Sequence, residues 1–232
     1  MTEQCLERSA AGFVLAGGRS SRMGSDKALA LFGGVPLVQA ALQTIDAIGI
    51  PAHIAGSRGD LSSFAAQIPD TFAETGPLGG IHAALSVSHA EWNLYLPVDL
   101  PLMPSSLLAC LLQRAMLTGA PVTAPRLNGR IQPFPVVLHR SVLPSITQRL
   151  QDGNTACHAA WQGIPPELNS SLDAVPVEYL YQCGQCSHPR GLPPFLWFQS
   201  ANTPAELLLL NRLGAQIAGI QSGSIGKPTF LK

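Results

Sequence analysis

The apolar run Gly12-Phe13-Val14-Leu15 gives way at once to a loop built for a different purpose. Leu15-Ala16-Gly17-Gly18-Arg19-Ser20-Ser21-Arg22-Met23-Gly24-Ser25-Asp26-Lys27 combines three glycines with three cations. Glycine lets a backbone approach a ligand closely and turn amide N–H groups inward, a geometry that suits phosphate oxygens. Arg19, Arg22 and Lys27 bring positive charge to the same place. The spacing is not that of a Walker A loop, and the Gly-x-Gly-x-x-Gly fingerprint is also missing. A second candidate is Asp99, the acid that ends the apolar run Trp92 to Val98; a turn carboxylate is the duller reading, since Pro101 and Pro104 follow. Further on, Thr203-Pro204-Ala205-Glu206 reads as a helix capping box with proline at the first helical position.

The concentration of cations matters because the rest of the chain is so sparing with charge. Its 232 residues carry 14 Lys+Arg against 14 Asp+Glu, only 12% charged in all. A neutral chain without a basic patch is not suited to exchange for the counterions of a nucleic acid, and no polybasic run suggests a membrane surface. The first ten residues hold Glu3, Glu7 and Arg8 and do not read as a signal peptide. Apolar stretches such as Leu207 to Leu210 are far too short to span a bilayer, which takes about 20 residues. Five cysteines without regular spacing suit reduced thiols, so the expected setting is soluble and cytoplasmic.

These residues need elements to hold them. Alternating apolar runs and helical periodicities predict strands at about 12–15, 52–55, 92–98, 122–124, 134–138 and 195–198. Helices are expected near 36–48, 61–67, 78–87, 105–117 and 203–213. Such alternation predicts a three-layer α/β/α sandwich around a mostly parallel, Rossmann-like twisted sheet, whose ligands sit beyond the carboxyl ends of the strands. One domain over residues 1–218 is expected, with an irregular Pro/Gly-rich insertion at about 162–194 and a loosely held tail at 219–232.

The loop motif resembles that of the MobA-like nucleotidyltransferases, specifically the molybdenum cofactor guanylyltransferases, whose signature reads L-A-G-G-x-S-x-R-M-G-x-D-K followed by G-x-P-L. Gly34-Val35-Pro36-Leu37 supplies the second part. Gly76-Pro77-Leu78-Gly79-Gly80, Pro97-Val98-Asp99-Leu100-Pro101, Gln132-Pro133-Phe134 and Asn202-Thr203-Pro204 are similar to further family motifs. The resemblance implies a fold of the nucleotide-diphospho-sugar transferase type. It also implies transfer of GMP from GTP to the terminal phosphate of molybdopterin with release of pyrophosphate. In that reading Leu15, Ala16, Gly17, Gly18 and Arg19 meet the nucleotide, with Lys27 and Arg22 acting on its phosphates. Asp70, Gly79 and Ser57 lie near base and ribose, and Asp99 with Asn202 holds Mg²⁺. Substrates apart, transient contacts with other cofactor-biosynthesis proteins are the partners it suggests.

Three alternatives stay open: CTP as donor, a different small phosphate as acceptor, and a nucleotide-binding protein with weak turnover. Two departures from the family pattern bear on the acceptor side. Gly153 to His158 carries no Arg or Lys, and Ser200 stands where the family's first closing asparagine would be. Cys183-Gly184-Gln185-Cys186, with His188 close behind, has the gap of half a zinc site, for which Cys157 and His158 are the nearby candidates to complete four ligands. His82 is read by default as a core residue, and Asp26 as an acid that orients Lys27.

Overall fold

The computed structural model describes residues 9–16, 26–56, 59–72 and 74–222. Gly17, Gly18, Arg19, Arg22 and Ser57 therefore lie outside the described residues, as does the tail beyond Ser222.

The apolar runs become the strands of one mixed, mostly parallel sheet. β1 (Ala10–Leu15) is buried along its whole length. A small hairpin, β2 (Leu31–Phe32) and β3 (Val35–Pro36), leads into helix α1 (Leu37–Asp46). Its apolar positions Leu37, Val38, Ala41, Leu42 and Ile45 are all buried, as their spacing on one helical face predicts. β4 (Ala52–Ala55) and β5 (Gln67–Ile68) extend the sheet outward, and α2 (Pro77–Val87) then carries the chain back across β1 to β6 (Trp92–Pro97). α3 (Ser105–Thr118), β7 (Val122–Leu127), β8 (Arg130–Ile131) and β9 (Val136–His139) complete that half. The spatial order is β5, β4, β1, β6, β9 and β7, with β8 paired to β7; β9 runs antiparallel to both neighbours. Because the chain moves outward from β1 in one direction and returns on its other side, the strand order reverses there. That reversal opens a crevice at the carboxyl ends of β1, β4 and β6.

Alternate residues of β1 feed two cores. Val14 points to the face covered by α1 and α3, whereas Phe13 and Leu15 join the layer under α2. Gly12 sits beneath α1, where a Cβ would lie 2.3 Å from Ile45 Cγ2, so the helix packs this close only over glycine. Gly12→Ala is expected to destabilise the protein by ~1–3 kcal/mol through overpacking, read by urea unfolding; an unchanged midpoint would mean that Ile45 swings aside freely.

The segment 162–194 is not the irregular insertion expected. α4 (Leu143–Gln151) and α5 (Cys157–Glu167) pack on the α2 face. β10 (Asp173–Pro176) then joins the sheet edge parallel to β7, and α6 (Val177–Gln182) follows. Short elements show little periodicity, and prolines mask them here: Pro165 and Pro166 fall in the last turn of α5, and Pro176 is tolerated because β10 is an edge strand. Two further expectations are corrected. Phe195 to Phe198 is not a strand, because Pro194 starts the one-turn helix α7 (Pro194–Trp197) that turns Trp197 into the core. Residues 61–67 form no helix. A 3-10 turn at Gly59–Leu61 buries Leu61, and the chain then pairs as β5, since so short a segment cannot repay helix nucleation. The closing helix α8 (Pro204–Ser222) starts where expected and runs on beyond Leu213. No helix among the described residues is long and apolar enough to cross a membrane.

Candidate active site

Lys27 opens a 3-10 turn, Lys27–Leu29, capped by the Asp26 carboxylate, which accepts from the Ala28 amide at 2.9 Å. The cap fixes Asp26 to the turn that Lys27 opens, and the lysine side chain reaches into the crevice. Its ammonium donates to Asp99 Oδ2 at 3.0 Å and to Asn202 Oδ1 at 2.6 Å. Three residues far apart in sequence thus meet at one nitrogen.

Each partner is itself held. Asp99 follows the end of β6, and its carbonyl accepts from the Ala201 amide at 2.9 Å, which ties the last segment of the chain to the strand end. The Glu206 carboxylate accepts from the Asn202 and Thr203 amides at 2.8 and 2.9 Å, and the Glu206 amide donates to Thr203 Oγ1 at 3.2 Å. That is the reciprocal capping box the sequence predicts. Asn202 Nδ2 donates to Ser200 Oγ at 3.0 Å, so the amide's oxygen is the end turned toward Lys27. Ser200, a departure from the family pattern, orients this side chain.

The crevice beside Lys27 has a volume of about 140 Å³ and is walled by Leu15, Ala55, Asp70, Gly76, Pro77, Gly80 and Pro97 to Asp99. Leu15, Asp70, Lys27 and Asp99 are therefore brought together as expected, and Ala16 follows directly on Leu15. Gly79 is not in the lining: its Cα faces the preceding loop, where a Cβ would come 2.0 Å from Thr75 Oγ1. Gly80 is the glycine beside the crevice, with space for a Cβ 3.5 Å from Asp70 Oδ1. The Gly-Gly pair in the sequence signals close approach, and only the helix phase tells which member faces the ligand. Asn202 reaches the site from outside the wall, through Lys27.

Asp70 has no hydrogen-bonding partner among the described residues, and desolvation by the crevice walls raises its pKa from the ordinary 3.8. A raised pKa means the fold favours the protonated acid, so this contribution to stability is present below pH 3.8 and is lost as pH rises through the folded value. At neutral pH the carboxylate is a liability. Asp70→Asn is expected to raise the melting temperature at pH 7, with a gain that shrinks as the pH approaches 3.8; no gain at pH 7 would show that the charge is fully solvated.

Among the described residues no group of three or more His, Cys, Asp or Glu side chains could hold a metal, which leaves the Cys-x-x-Cys pair without a zinc site. Cys183 is exposed and Cys186 is buried, with its thiol pushed up to about 12 by burial and then by nearby Cys110. His188 Nδ1 accepts from the Arg190 amide at 3.0 Å. Burial and the Arg190 charge push its pKa down to about 4. In the crevice two oxygens, Asp99 Oδ2 and Asn202 Oδ1, gather around the Lys27 ammonium.

Comparison with known proteins supports the same reading. Residues 12–163 match the family model described as a MobA-like NTP transferase domain. A molybdenum cofactor guanylyltransferase from Acidovorax sp. (strain JS42) is 33% identical over 218 residues, covering 88% of this chain and 95% of that one. One from Vibrio cholerae is 35% identical over 146 residues, 61% of this chain and 71% of that protein. Among solved structures, molybdopterin-guanine dinucleotide biosynthesis protein A from Archaeoglobus fulgidus aligns with a TM-score of 0.71 at 20% identity, over 89% of this chain and 99% of that one. CMP:2-keto-3-deoxy-manno-octonic acid synthetase, solved with CTP, aligns at 0.67 and 16% identity, over 90% and 99% of the two chains. These structural likenesses establish the fold, a three-layer α/β/α sandwich around a mostly parallel sheet. The family model ends before β10, yet Asn202 completes the lysine's contacts from beyond it. By the match to its model over residues 12–163, and by a 33% identical relative aligned along 95% of its length, the chain belongs to the MobA-like NTP transferase family.

Proposed function

We propose that this protein transfers GMP from GTP to the terminal phosphate of a molybdopterin-type cofactor and releases pyrophosphate. The observation that carries the reading is the convergence of Lys27, Asp99 and Asn202 at the carboxyl edge of the sheet, in a chain whose long-range relatives are named guanylyltransferases. An oxygen of the acceptor phosphate attacks the α-phosphorus of GTP, the bond from that phosphorus to the α,β-bridging oxygen breaks, and the electron pair leaves with pyrophosphate. No covalent group on the protein is needed; positioning and positive charge on the departing oxygens do the work.

Lys27 neutralises the α-phosphate and the leaving group, and Arg19 and Arg22 with the amides of Leu15 to Gly18 take the β and γ phosphates. Asp70, with Gly80 beside it, faces the base and ribose. The donors at Asp99 and Asn202 are a carboxylate oxygen and an amide oxygen, the hard ligands that suit Mg²⁺, which keeps several waters and needs only one or two protein oxygens. An ion held by these two oxygens would supply positive charge to offset that of the phosphates. The cytoplasm is the setting we propose for this work, in keeping with the free thiols of Cys110, Cys157, Cys183 and Cys186.

The test is pyrophosphate release from each of the four nucleoside triphosphates at fixed Mg²⁺, with and without molybdopterin. Release from GTP that depends on molybdopterin is expected. Turnover with CTP alone would overturn the guanylyl assignment, and turnover with a sugar phosphate but not molybdopterin would overturn the acceptor.

A further inference from the structure

His82 lies on α2 two residues after Gly80 and is only 8% exposed, yet both of its ring nitrogens are engaged. Nδ1 is 3.0 Å from Thr71 Oγ1, and Nε2 is 3.1 Å from Thr147 Oγ1 on α4. The hydrogen-bond directions follow from the third contact. Thr147 Oγ1 gives its own proton to the Leu143 carbonyl at 2.8 Å, so toward the imidazole it can only accept. Nε2 therefore carries the ring proton, and Nδ1 offers a lone pair to the Thr71 hydroxyl. Burial lowers the histidine's pKa, which keeps this neutral form in place.

Thr71 is the neighbour of Asp70. The loop it belongs to is pinned to α2 at three points: the His82–Thr71 bond, the edge-on contact of the Phe72 ring with the imidazole at 4.8 Å and 89°, and the close seat of Thr75 over Gly79. Asp70 itself has no partner among the described residues, so the position of its carboxylate is set by what holds Thr71. Thr147 in turn anchors the ring from α4, which joins the crevice wall to the layer that covers the far half of the sheet.

We propose that His82 is a positioning residue for the nucleotide donor: bridging Thr71 to Thr147, it holds the Asp70 loop at the crevice and so sets donor affinity. The proposal rests on Asp70 facing the donor nucleotide, and it concerns binding more than chemistry, because nothing in the bridge touches Lys27 or Asp99.

Thr71→Val keeps the side-chain shape and removes the one proton that Nδ1 accepts, while Thr71→Ser restores it. A neutral hydrogen bond is worth ~0.5–1.5 kcal/mol, which corresponds to about a 2- to 12-fold change in affinity. The expected result for Thr71→Val is a several-fold higher KM for the donor with kcat within twofold of the parent, and a parental KM for Thr71→Ser. His82→Leu should weaken the donor in the same direction, and the double variant Thr71→Val/His82→Leu should be no worse than His82→Leu alone. Calorimetric binding of all four nucleoside triphosphates without acceptor reads the same shift independently of turnover. A parent protein that binds a nucleotide other than GTP counts against the guanylyl reading only. Thr71→Val binding that nucleotide as tightly as the parent, while Asp70→Asn binds it more weakly, overturns the positioning role of His82. Equal losses in Thr71→Val and Thr71→Ser would overturn it as well, since the hydroxyl would then not be what matters.

Discussion

Asp99→Ala is expected to lower kcat by on the order of 10²- to 10³-fold, the usual cost of removing one group that organises charge around a transferring phosphate. Stability should hardly change. The pair it forms with Lys27 is partly solvated, with side chains 16% and 23% exposed, and exposed or half-exposed ion pairs contribute ~0–1 kcal/mol. Lys27 also keeps its bond to Asn202 Oδ1, so the ammonium is not left without an acceptor. The contrast between large kinetic loss and small thermal change separates a reacting-site role from a turn carboxylate, for which the order of effects would be reversed. Asp99→Asn sharpens the result. It retains an oxygen for Lys27 but loses the anionic ligand, so it should lose nearly as much activity as Asp99→Ala. Lys27→Ala should cost a similar amount, and the double variant little more than either single one, because residues acting as a unit are not additive. A near-parental rate in Asp99→Asn would mean that a neutral oxygen suffices there, against the metal-holding role.

How much of this site could be read from the sequence depends on whether a residue's role is local. Lys27, Asp99 and the Thr203 to Glu206 capping box are legible because loop, strand end and helix start each carry their own signature within a few residues. The meeting of Lys27 with Asn202 is tertiary: it follows from β6 ending beside β1 and from the Ala201 amide bonding the Asp99 carbonyl, and no spacing encodes it. The phase of a helix is hidden for the same reason, so a Gly-Gly pair points to close approach without telling Gly80 from Gly79. His82 shows a third case. The core reading holds for its burial but misses its chemistry, because the two threonines that satisfy it lie on other elements. In 162–194 the short elements take their stability from what they pack against, and proline-rich composition conceals them.

Trp197→Ala carries that last point into function. The side chain is fully buried, its indole N–H donates to the Leu192 carbonyl at 2.8 Å, and the Tyr181 ring meets it edge-on at 5.9 Å. Truncating so large a buried ring costs ~3–5 kcal/mol, and in a chain of this size each kcal/mol lowers the melting temperature by about 2–4 °C, so a fall of roughly 6–20 °C is expected. Trp161→Ala makes the matched comparison. Trp161 is equally buried, in the other core, and donates to the Pro133 carbonyl at 3.0 Å, so the loss of stability should be similar. The two variants should differ at the site. Trp197, Leu192 and Cys186 anchor the segment that delivers Ala201 to the Asp99 carbonyl and Asn202 to Lys27. At a temperature well below both transitions, Trp197→Ala should therefore show weakened turnover along with its lower melting point, whereas Trp161→Ala should keep parental donor affinity. Equal donor kinetics in both variants would show that the capping box and the Ala201 bond hold Asn202 in place without help from the core beneath them.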